Sequence, residues 1–215
     1  MTTVYLIRHS VRLSKDYIES YHTDQDVVLR NEKIILSVEG EERAKLLSEK
    51  AELQNLDVLY ASNAVRTIQT AKYFMESQNL KINLDDRLNE KVTGIPSNEP
   101  DAFAKQFYDQ DYRNVNGESQ REVRKRFDEA FDEIIEKNKN KRIAIFSHGF
   151  AITFFLLRYC TVEVNGIVVK YTFNGKVIFE KRLNAPEVFK MTLDGDKVID
   201  IELIEFDDIP YRLGV

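Results

Sequence analysis

Three of the 215 residues are histidine, and two of them close apolar, β-rich runs in the same way. The chain opens with Thr3-Val4-Tyr5-Leu6-Ile7-Arg8-His9-Ser10, and the pattern returns at Arg142-Ile143-Ala144-Ile145-Phe146-Ser147-His148-Gly149. Open α/β sheets bind ligands outside the carboxyl ends of their strands, so strand-end histidines are candidates for chemistry. Other reactive groups occupy matching places: Arg8 precedes His9, Arg66 lies in the first turn of a helix that follows a strand, and Glu90 follows the next strand. All are expected to gather at one rim of a sheet.

This set suits phosphoryl transfer. Guanidinium forks match phosphate oxygens and keep their charge at any working pH. A neutral imidazole is a competent nucleophile. Two arginines and a second, protonated imidazole would balance the negative charge on the equatorial oxygens. A carboxyl held in its acid form by anionic neighbours can protonate a leaving alcohol. The scheme needs neither metal nor cofactor. A zinc site of His9, His22 and His148 is formally possible, but the arginines would repel a cation.

The elements that must position these groups alternate. Strands are expected at Thr3 to Arg8, Asp57 to Ala61, near Ile82 to Leu84, and Arg142 to Ser147. Ser37 can cap a helix with an acidic first turn, with Val38, Ala44, Leu47 and Ala51 supplying much of its buried face. A second helix shows Val65, Ile68, Ala71 and Met75 at helical spacing. Residues 91–117 form an irregular or partly helical excursion. A long helix over about 118–138 presents Val123, Phe127, Ala130, Phe131 and Ile134 as one stripe, and a short apolar helix follows Gly149. From Thr161 onward the turn dipeptides Asn165-Gly166, Asn174-Gly175 and Asp194-Gly195 separate β-rich runs. That tail is expected to attach to the same sheet, in one domain over 1–215, covering the pocket or forming a homodimer edge.

Composition narrows the function class. A net charge of −5 argues against nucleic-acid or membrane-surface binding. The longest apolar runs fit strands rather than a membrane span, and no basic start leads into a long apolar region, so a soluble cytoplasmic protein is expected. The single cysteine, Cys160, excludes an internal disulfide and reads as a core residue.

Taken together, the motifs resemble the histidine phosphatase superfamily, the phosphoglycerate mutase-like family. Leu6-Ile7-Arg8-His9 is similar to its signature. Leu36-Ser37-Val38-Glu39-Gly40 with Ala44 is similar to its Leu-Thr-x-x-Gly…Ala helix start, and Ser62 to Ala71 to its Ser-x-x-x-Arg-x-x-x-Thr-Ala helix. Arg87-Leu88-Asn89-Glu90, Gly117-Glu118-Ser119 and Ser147-His148-Gly149 follow in the family's order. The resemblance spans roughly 3–158, with a weaker echo at 184–206. It implies a three-layer α/β/α sandwich with a mostly parallel central sheet. It also implies His9 as the phosphorylated nucleophile, Arg8, Arg66 and His148 as the phosphate pocket, and Glu90 as the proton donor, with Ser62 and Ser147 in supporting roles.

Two departures mark the substrate side. Ser10 stands where most members have glycine, which reads as subfamily variation. Arg12 follows, either as a third cation for a second anionic group or as a solvated loop arginine. Tyr17, Tyr21, Phe103, Phe107, Tyr108 and Tyr112 are read as lid residues or as packing against the body. The expected activity is metal-independent hydrolysis of small phosphomonoesters through phosphohistidine. Phosphoglycerate mutase-type transfer and a catalytically silent phosphate-binding relative are the alternatives. The mutase reading is disfavoured because residues 91–117 are short, with Lys91, Lys105 and Arg113 their only cations.

Overall fold

The computed structural model describes residues 1–13 and 31–212; Tyr17, Tyr21 and His22 lie outside them. Its centre is β1 (Thr2–Arg8), whose Val4, Tyr5, Leu6 and Ile7 are fully buried. An unbroken apolar run suits a strand covered on both faces. The strand period of two sorts it: Val4 and Leu6 enter one core cluster, Tyr5 and Ile7 the other. β4 (Arg142–Ser147) divides in the same way, with Ile143 and Ile145 on the first face and Ala144 and Phe146 on the second.

With β2 (Val58–Ala61) and β3 (Ile82–Leu84), these strands form the parallel part of a six-stranded sheet. Strands β8 (Glu187–Asp194) and β9 (Lys197–Ile204) extend it antiparallel, giving the order β3-β2-β4-β1-β8-β9. Helices α1 (Val38–Ser48) and α2 (Val65–Gln78) cover one face through Leu47, Ala71 and Phe74. The other face carries α4 (Gln120–Lys137) and α5 (Gly149–Leu156), with Phe127, Phe131, Phe154 and Phe155. A short α3 (Ala102–Tyr108) lies within the 91–117 excursion. The three layers are the sandwich expected from the sequence, and the expected stripe of α4 is buried throughout.

Three expectations change. First, β5 (Thr161–Asn165), β6 (Val168–Phe173) and β7 (Lys176–Lys181) form their own antiparallel sheet, and only β8 and β9 join the central one. Helix α5 explains this: it is apolar all round and needs cover on its outer side. Val169, Tyr171, Phe173 and Phe179 share its core cluster, and the Tyr171 hydroxyl donates to the Thr153 carbonyl at 2.9 Å. Second, Val38 and Ala51 are exposed; Gly40, Arg43, Ala44 and Leu47 form the buried face of α1. Third, α2 buries Arg66, Thr67, Thr70, Ala71 and Phe74, leaving Val65, Ile68 and Met75 half-buried. Polar residues turn inward there because partners await them. Phe103 and Phe107 pack on Phe150 and Phe154 of α5, so they belong to the body.

Candidate active site

Register builds the site. β1 and β4 are parallel neighbours, Arg8 pairs with Ser147, and the two histidines that follow come to lie side by side. Their rings meet edge-on with centroids 5.2 Å apart. The His9 N–H donates to the Ser147 carbonyl at 3.0 Å, and the Ser62 N–H beyond β2 donates to Phe146 at 3.0 Å. Three strand ends are thus tied into one rim.

His9 is 4 % exposed. Its Nδ1 lies 2.7 Å from the Ser10 carbonyl. A carbonyl only accepts, so Nδ1 carries the hydrogen and Nε2 keeps its lone pair. Burial, reinforced by the charges of Arg66 and Arg8, holds the imidazole well below its ordinary pKa, leaving it neutral and nucleophilic. Ser10 is fully buried, its N–H donates to Thr70 Oγ1 at 3.0 Å, and its φ is not positive. The glycine conformation is therefore not required at this position.

His148 sits in a chain of side-chain hydrogen bonds. The Arg66 guanidinium donates to its Nδ1 at 2.9 Å, so the ring's hydrogen sits on Nε2, 2.8 Å from Ser62 Oγ. Ser62 Oγ is bonded onward to Thr67 Oγ1 at 2.8 Å. Burial first, then Arg66 and His9, drive the His148 pKa well down. Both imidazoles of the site are thus neutral.

Arg66 is 1 % exposed and also donates to the Asn31 carbonyl at 2.6 Å. Burial lowers its pKa to about 10 against the pull of Glu90, so it stays cationic at neutral pH. A cation in the first turn of a helix opposes the macrodipole, a local cost that marks a working position. Arg8 donates from one nitrogen to the Leu183 and Asn184 carbonyls at 2.9 and 2.8 Å. Arg43 secures that return segment, donating to the Ala185 and Pro210 carbonyls at 2.8 and 2.6 Å and to Asn184 Oδ1 at 3.2 Å. Arg12 is half-buried, close enough to depress the pKa of Arg8, His9 and Arg66 and to feel the charge of Glu90.

Glu90 closes the ring of groups. Its carboxylate accepts from the Phe150 and Ala151 N–H groups at 3.3 and 3.1 Å, which are orphan donors of the first turn of α5. The Lys91 N–H adds a third bond at 2.9 Å. Ser147 Oγ donates to the Leu88 carbonyl at 2.7 Å, tying β4 to the loop that carries Glu90. Sequence reasoning missed Thr70, Arg43 and Glu187; the last lies opposite Arg8 in the β1–β8 register and favours its charged form. Among the described residues, no group of three or more His, Cys, Asp or Glu is gathered as a metal site requires. His22, the third ligand of the alternative zinc site, lies outside them. No described helix is long and apolar enough to cross a membrane.

Residues 4–170 match the histidine phosphatase superfamily (branch 1). The chain belongs to the histidine phosphatase superfamily. Phosphoserine phosphatase 1 of Hydrogenobacter thermophilus is 29 % identical over 123 residues, covering 53 % of this chain and 58 % of that protein. A probable phosphoglycerate mutase, GpmB, of Yersinia enterocolitica is 25 % identical over 162 residues, covering 71 % and 72 %. In fold, this histidine phosphatase superfamily member is similar to a mycobacterial glucosyl-3-phosphoglycerate phosphatase complexed with VO3. That match has a TM-score of 0.64 at 16 % identity, covering 95 % of this chain and 98 % of the other. The superfamily and the two sequence relatives point to phosphatase or mutase chemistry.

Proposed function

We propose that the protein hydrolyses small phosphomonoesters through a phosphohistidine on Nε2 of His9. One observation carries the reading: the Nδ1–H bond to the Ser10 carbonyl leaves Nε2 unprotonated at the strand-end rim, among Arg8, Arg12 and Arg66. In the first step the Nε2–phosphorus bond forms and the phosphorus–ester oxygen bond breaks. Glu90 takes up a proton as the phosphoryl dianion binds and gives it to the departing alkoxide. In the second step water attacks phosphorus as the Nε2–phosphorus bond breaks, Glu90 takes a proton from that water, and inorganic phosphate and the protons taken up on binding leave as His9 returns to neutral. The three guanidiniums bind the phosphoryl oxygens and balance their charge.

His148 changes role on binding in this scheme. A phosphoryl dianion favours the imidazolium, so His148 gains a proton with substrate, and Arg66 exchanges its Nδ1 bond for a phosphoryl oxygen. Two of the relatives act, by their names, on phosphoserine and glucosyl-3-phosphoglycerate, which supports a small phosphorylated metabolite as substrate. The similarity to a probable mutase supports a second reading, in which the phosphoryl group returns to a second hydroxyl.

The test is release of phosphate from p-nitrophenyl phosphate in EDTA. Wild type is expected to turn over, and His9→Ala to lose at least about 10³-fold, since a covalent step has no substitute nucleophile. Equal rates would reject His9 as the nucleophile. Interconversion of phosphoglycerates outrunning phosphate release would establish the mutase.

A further inference from the structure

Between the one-turn 3-10 helix Asp86–Leu88 and α3, the chain carrying Glu90 has no helix or strand of its own. Its backbone carbonyls still need donors, and one side chain reaches three of those around the acid. Arg126, on α4, donates from one terminal nitrogen to the carbonyls of Arg87 and Asn89 at 2.8 and 2.7 Å. Its other terminal nitrogen donates to the Glu90 carbonyl at 3.2 Å and to Glu118 Oε2 at 2.9 Å, and Nε donates to Glu118 Oε1 at 3.0 Å. All five N–H donors of the guanidinium are used. Glu118 closes the clamp from the far side: its Oε2 accepts the Val92 N–H at 2.8 Å, and its own N–H donates to the Val92 carbonyl at 2.8 Å. Residues 87–92 are gripped on both sides of the acid, and the pair is mostly shielded from water, 20 % and 23 % exposed.

We infer that Arg126, held by Glu118, is a positioning residue that sets the reach of Glu90 toward the leaving oxygen. The inference rests on Glu90 being the proton donor. A planar fork is needed, because a lysine in its place keeps the charge but cannot hold three carbonyls and a carboxylate at once. A displacement of about 1 Å in a reacting group can cost about 10²-fold, within the 10²–10⁴-fold that general acid catalysis supplies.

The experiment compares an alkyl phosphate, which needs the acid, with an aryl phosphate, whose leaving group does not. It uses Arg126→Lys, Glu90→Gln and the double variant, with folding checked by circular dichroism. Arg126→Lys is expected to lose about 10²-fold in kcat on the alkyl ester and less than about 3-fold on the aryl ester, with KM little changed. The double variant should be no slower than Glu90→Gln on the alkyl ester. If Arg126→Lys does not fold, Glu118→Gln, which loosens the same clamp, is expected to show the same selectivity to a smaller degree. Selective loss in Glu90→Gln with equal losses, or none, in the clamp variants would overturn the positioning role alone. Equal losses on both esters in Glu90→Gln would overturn the acid itself, and the inference with it.

Discussion

At the residue scale, what the sequence could not show was protonation. The types and order of Arg8, His9, Arg66, Glu90 and His148 were legible, because strand ends and a helix start place such groups at one rim. That both imidazoles are neutral was not legible, since it follows from burial and from guanidiniums brought near by the fold. Cys160 illustrates the same physics at a position without chemistry. Burial pushes its thiol up to about 12, and the thiolate is the reactive form. Iodoacetamide at pH 7.5 is therefore expected to leave the native protein unlabelled and to modify Cys160 fully in 6 M urea. Rapid labelling of the folded chain would contradict the burial.

At the element scale, the decisive contact joins α1 to the segment that follows His9. The Val11 carbonyl accepts the Ser37 N–H at 3.0 Å and the Ser37 hydroxyl at 3.3 Å, while the Ser37 hydroxyl accepts the Gly40 N–H at 3.0 Å. A Cβ on Gly40 would lie 2.0 Å from that same carbonyl oxygen. Gly40→Ala is expected to destabilise by at least about 2 kcal/mol, read as a lower midpoint in urea, and to cut turnover by shifting His9. Unchanged stability would mean that the helix yields without cost. Strands and the α4 stripe were readable because periodicity and burial agree in them. The inward faces of α1 and α2 were not, because Arg43, Arg66, Thr67 and Thr70 are buried for their hydrogen bonds, a pattern that apolar spacing ignores. The separate β5–β7 sheet was missed for a related reason: turn dipeptides locate hairpins but do not say which layer they cover.

At the scale of the whole molecule, the buried histidines tie stability to pH. Both have folded-state values depressed below the ordinary 6.5, so the unfolded chain binds more protons below that value. Their contribution is fully present above about pH 6.5 and is lost as the pH falls toward the folded values. Thermal unfolding between pH 8 and 5 should show a falling Tm, and His148→Gln should flatten the slope; an unchanged slope would place the dependence elsewhere. Another molecular feature reaches beyond thermodynamics. β1 lies between β4 and β8, and the Arg8 guanidinium rests on the Asn184 carbonyl, 176 residues further along the chain. On the ribosome β1 emerges before β4 and β8 and waits with open edges until they follow. Arg8 finds its seat only when the segment leading into β8 arrives. A nascent or prematurely stopped chain thus carries His9 without the arginine seat beside it, and exposes an apolar strand edge to whatever chaperone or neighbour it meets first.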